Sequence, residues 1–149
     1  MKSLEDSEIL TQLVTRLSAV RPDTPRQWGT MTAGEMLCHL GDATASVIDA
    51  PPAPDTKGSR LLKWFALNVP LAWPRGLKTP ASVDPKAGGT KPSDFESDRR
   101  RAIEGLRQFA AASAHSLSAT HGAFGPMTPK DWYRWAYRHT DHHLRQFGV

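Results

Sequence analysis

Cysteine is almost missing from this 149-residue chain, and the single thiol, Cys38, rules out an intrachain disulfide and points to a reducing compartment. Long apolar runs are missing too. The most apolar stretch, Leu61 to Trp73, is broken by Lys63, Asn68 and Pro70 and is too short to cross a bilayer. The opening MKSLEDSEIL lacks the basic-then-apolar order of a secretion signal, so a cytoplasmic location is expected. No segment alternates apolar and polar residues for long enough to predict a strand, and no internal repeat is present. Strong charge of either sign is also lacking. A formal net charge of +4 suits an anionic small molecule without requiring one.

What is present is an ordinary soluble composition, 39% hydrophobic and 23% charged, in a chain long enough to bury a core. A single domain over residues 1–149 is expected. Its apolar residues recur at helical spacing. Ser3 to Val20 carries Leu10, Leu13 and Leu17 on one stripe, with Ile9 and Val14 beside it, and stops at Arg21-Pro22. Thr32 and Glu35 have the spacing of a capping box and open a second helix through Met36, Leu40 and Val47. Between residues 50 and 92 lie eight of the twelve prolines, around a short apolar helix predicted at Ser59 to Val69. Ser93 and Glu96 predict a second capping box, opening a long helix that ends near His115. After the turn-rich HGAFGPMT, Thr128 caps a last helix, Thr128 to Gly148, with Pro129 in the first helical position. The expected fold is an all-α four-helix bundle with one long Pro-rich crossover.

The last helix carries the chemistry. His139 and His143 stand four residues apart, in line with Trp132, Trp135 and Ala136, so both imidazoles fall on the face that turns inward. Buried imidazoles need polar partners. Two on adjacent turns are also how a divalent metal takes two ligands from one helix. His39, roughly 80–90° from the middle of the second helix's stripe, is placed to supply a third. Three neutral imidazoles suit zinc or nickel with a position left open. The competing reading is a polar core satisfied by backbone and water.

Around the triad, Glu35 and Asp42 flank His39 at one-turn spacing; each is a candidate to accept its other N–H, and equally a candidate surface residue. His142 points about 80–100° from the His139–His143 line, toward a flank or the pocket mouth. Gln146 returns to the inward face, where it either bonds a ligand or caps the core. Asp141 is expected in solvent, His115 and His121 on the surface, and Cys38 as a buried structural thiol. Arg99-Arg100-Arg101 follows acidic residues on the same helix and reads as a solvated face rather than a nucleic-acid site.

The segments WGTMTAGEMLCHL (Trp28 to Leu40), HGAFGPMT and RHTDHHLRQFGV occur in the order found in the DinB/YfiT-like superfamily of metal-binding four-helix bundles, which the chain resembles over essentially its whole length. More narrowly it resembles a branch of that superfamily with no assigned activity. The resemblance implies an up-down-down-up bundle, often dimeric, and a metal triad carried over to His39, His139 and His143. It also implies kinship with transferases and isomerases that use bacillithiol, mycothiol or glutathione. The expected function is therefore divalent-metal-dependent chemistry on a small molecule, foremost thiol-dependent S-transfer. The alternatives are a metal-dependent hydrolase and a non-catalytic bundle acting as a binding or dimerisation module. The absence of a general base beside the triad in sequence favours the thiol.

Overall fold

Each long helix begins where a short polar side chain can hold the first free backbone N–H groups. The computed structural model describes residues 1–48, 50 and 58–149; the start of the Pro-rich connection, 51–57, lies outside them. Helix α1 (Ser7–Ala19) starts later than its apolar pattern suggests, because the Asp6 carboxylate accepts from Glu8 N. Leu4 N is instead bonded to Tyr133 O at 3.2 Å, which ties the first residues to the last helix. Helix α2 (Ala33–Ala45) opens with the Thr32–Glu35 capping box, both halves of which are formed. Helix α3 (Arg60–Asn68) is capped by Ser59, and a single 3₁₀ turn follows at Ala81–Val83.

The predicted Ser93–Glu96 box does not form. Helix α4 (Phe95–Ala111) is capped one residue later by Asp94, whose carboxylate accepts from Ser97 N at 2.8 Å. A charged acceptor at the positive end of a helix outcompetes a neighbouring hydroxyl. The helix ends at Ala111 rather than near His115, because Ala112 N turns back to Phe109 O and a Ser113–Ser116 turn takes over. Around the HGAFGPMT joint the chain forms a pairing that its pattern does not predict, antiparallel strands β1 (Thr120–His121) and β2 (Gly125–Pro126). Two residues per strand are too few for alternation to show. Helix α5 (Pro129–Gln146) starts with Thr128 and Asp131 in a complete capping box.

Helix α2 packs most extensively on α4, and α5 meets α1, α2, α3 and α4. The close α2–α4 approach needs Gly105: a Cβ there would lie 2.7 Å from Thr44 Oγ1. Met36, Leu37, Leu106, Phe109 and Leu144 are sealed between these helices, each such side chain contributing about 1.5–3 kcal/mol by burial. The arginine run is not simply solvated. Arg99 donates to the Ser18 and Val20 carbonyls at the end of α1, and Arg101 pairs with Asp42 at 2.7 Å, so two of the three tie α4 to its neighbours. Asp141 is likewise not free in solvent but pairs with Arg16 of α1 at 2.7 Å. Among the described residues, no helix is long and apolar enough to cross a membrane.

Candidate metal centre

Helix α2 contributes His39, and α5 contributes His139 and His143 from successive turns. Among the described residues these three form a group whose ligand atoms all lie within 4.8 Å of one another. The His39 and His139 Nε2 atoms are 3.0 Å apart, and the three rings meet edge to face at centroid distances of 4.7–5.0 Å.

The outer nitrogens decide what the inner ones present. His39 Nδ1 lies 2.8 Å from the Val83 carbonyl, so it carries the proton and Nε2 keeps its lone pair. Neither carboxylate considered for this task performs it. Glu35 accepts from Thr32 N at 2.8 Å, and Asp42 binds Arg101 and Thr90. His143 Nδ1 lies 2.9 Å from Gln146 Oε1 and donates to it, while Gln146 Nε2 donates to the Trp28 carbonyl at 3.0 Å. Gln146 thus neither meets a ligand nor merely caps the core; it sets the tautomer of His143. The turn beneath it requires glycine, because Gly29 has φ +78° and a Cβ would stand 2.3 Å from Gln146 Nε2.

His139 lies flat on Trp135, with centroids 4.7 Å and planes 14° apart. Two facing Nε2 lone pairs at 3.0 Å repel unless a proton or a cation sits between them. Ligands bound at about 2.0–2.1 Å in a tetrahedron stand roughly 3.3 Å apart, so the spacing fits a divalent cation after small adjustment. Burial pulls the His139 pKa well below its ordinary value and that of His143 down to about 3; burial also lowers His39, partly offset by its bond to Val83. All three are neutral at pH 7, the form that ligates metal.

The triad is part of the lining of a cavity of about 640 Å³. Its wall includes Leu62 and Phe65 of α3 and Val69 and Trp73 just beyond it, so the apolar stretch of the connection lines the same cavity as the triad. His142 lines the same space between Trp28 and Trp73, 6.0 Å from each ring. Cys38 is buried with its thiol pKa raised, first by burial and then by Asp98, and stands outside the cavity lining.

His121, expected at the surface, is the residue the sequence reading missed; His115 is exposed as expected. The β1–β2 hairpin stacks His121 on Phe124 at 4.4 Å and 18°, with Trp132 and Trp135 at 5.6 and 5.9 Å. The signal was the HGAF tetrad, where a tight turn brings His121 against the aromatic three residues on. Burial lowers the His121 pKa from 6.5 to about 4, so as pH falls the unfolded chain takes up the proton first. Its contribution to stability is therefore complete above pH 6.5 and lost progressively down to about pH 4. Between pH 7 and pH 5 the loss is about 2 kcal/mol. In urea unfolding of chelator-treated protein, His121→Phe is expected to lose about that much less than the parent over this interval. Equal losses in both would place His121 outside the interior.

Three neutral imidazoles from two helices, set in the lining of a cavity, define a helical protein with a site able to hold a metal ion. The family model described as the DinB superfamily matches residues 5–147, and the chain belongs to that superfamily. No curated protein and no solved structure matches it.

Proposed function

We propose that the protein is a divalent-metal-dependent enzyme acting on a small molecule, with His39, His139 and His143 as ligands and zinc or nickel as the metal. The observation that carries this reading is the convergence of three neutral imidazoles on the lining of a cavity large enough for a small-molecule substrate. When bound, the cation supplies a Lewis-acid charge that lowers the pKa of a thiol or a water and so yields a nucleophile near neutral pH. The chain's own residues do the rest. Val83 and Gln146 hold two of the imidazoles in the tautomer that turns Nε2 inward. The Trp135 ring fixes the plane of His139, and the Trp73 indole and residues of α3 line the cavity beside it.

Thiol-dependent S-transfer is the favoured chemistry, with α1, α2, α4 and α5 as the four helices of the bundle. No carboxylate is among the described residues lining the cavity. A thiol needs only deprotonation, whereas water-based hydrolysis profits from a carboxylate base. His142 is the nearest neutral imidazole outside the triad and is the candidate proton acceptor.

His139→Ala and His143→Ala are each expected to abolish the stoichiometric zinc or nickel of the purified protein, read by elemental analysis. Equal metal in variant and parent would remove the site. A panel of low-molecular-weight thiols against electrophiles then tests the chemistry, and turnover independent of the thiol would redirect it to hydrolysis.

A further inference from the structure

The cavity walls carry a pattern of their own beyond the three ring nitrogens. Phe65, Val69, Leu71 and Trp73 line the cavity together with Phe124 and Trp132, a wall of hydrocarbon and aromatic rings. The charged residues among its described lining are Lys78 and Arg138, both cationic. Toward solvent the apolar wall runs out onto exposed Leu62, Leu71 and Leu77. The charged residues between 58 and 83 are Arg60, Lys63, Arg75 and Lys78, all of one sign.

Unmet hydrogen-bonding capacity is concentrated here too. Among the described residues, the buried side-chain polar atoms without a partner are Thr120 Oγ1, Arg138 Nε and His139 Nδ1, and all three residues line this cavity. A bond from the Arg138 guanidinium to an anionic head group is charge-assisted and so of the stronger kind, and Arg138 is one of the two cations among the described residues of this lining. Arg138 also shares a ring neighbour with the triad. Its guanidinium lies 5.9 Å from the centre of the Trp73 ring, and that same ring is 6.3 Å from His139. Its Nη2 donates to the Leu71 carbonyl, which holds the head group beside the connection.

We propose that the cavity binds a small hydrophobic monoanion, with an aliphatic or aromatic body along Phe65, Phe124 and Trp132 and an anionic head at Arg138. A volume of about 640 Å³ suits one such molecule. As a substrate assignment this rests on the metal-dependent reading above; as a binding site it does not.

The test uses chelator-treated full-length protein, so that no cation can hold the anion. Calorimetric titrations compare decanoate with 1-decanol and decyltrimethylammonium, and 2-naphthoate with 2-naphthol, the two pairs separating aliphatic from aromatic bodies. At least one acid is expected to bind tenfold or more tightly than its alcohol, with the ammonium weakest. In Arg138→Gln that acid falls to within threefold of its alcohol, whose own affinity is unchanged. Both acids no tighter than their alcohols in the parent, or a preference that survives Arg138→Gln, would overturn the proposal. Should that variant fail to fold, the comparison in the parent still decides. Elemental analysis of untreated protein keeps the two readings apart. Bound metal without acid preference overturns this inference alone, and acid preference without metal overturns the metal reading alone.

Discussion

Zinc at a thousandfold excess over its dissociation constant is expected to stabilise the folded chain by about 4 kcal/mol, a gain that vanishes in His143→Ala. The size follows from linkage, since a ligand bound by the folded state alone adds its binding free energy to folding. Folding is what assembles this site: His39 and His139 are separated by 100 residues in sequence and meet at 3.0 Å. An unfolded chain retains only fragments of it, the isolated His39 and the local His139–His143 pair. Removing His143 takes away one ligand and leaves Gln146 without its partner. The check is urea unfolding of parent and variant, each with zinc and with chelator, repeated with nickel. Superimposable curves for the parent under all conditions would mean that no cation is held by the fold.

Phe109→Ala is expected to destabilise the protein by about 3–5 kcal/mol, the cost of a buried aromatic plus the cavity it leaves. Phe109 is completely buried. Its ring meets Tyr133 edge-on and Trp135 at a tilt, both at 6.3 Å, and Trp135 is the ring on which His139 lies. The loss therefore reaches the histidine triad through one intervening indole. Unfolding in urea reads the stability, and near-ultraviolet circular dichroism reads the loosened tryptophan. Phe109→Leu, which fills most of the space, should cost far less. A loss below about 1 kcal/mol for the alanine variant would show that Phe109 is not part of a packed core.

Whatever depended on helical period was readable in the residues. The His139–His143 pair follows from 3.6 residues per turn, and the caps at Thr32 and Thr128 from two-residue chemistry at fixed spacing. Where two capping residues stood side by side, at Ser93 and Asp94, spacing alone did not choose between them and charge did. His39 was readable only as a flank position, since α2 lies between neighbours. Its ring partner was not readable at all: Val83 is 44 residues away, in a segment without period, and a backbone carbonyl has no letter in the sequence. His121 escaped for a related reason, because a hairpin of two-residue strands leaves no alternation and only the short HGAF turn to detect. The pairing of Asp141 with Arg16 depends on how α1 lies against α5, which neither helix encodes alone.

The Val83 carbonyl sets a boundary for anyone redesigning what this cavity accepts. Residues 60–79 can in principle be exchanged as a cassette, because they shape the walls while the imidazoles sit on other helices. The turn from Pro80 to Asp84 cannot travel with that cassette. It holds the proton on His39 Nδ1, and a graft that moved it would free the ring to flip and turn its bare nitrogen away from the other two.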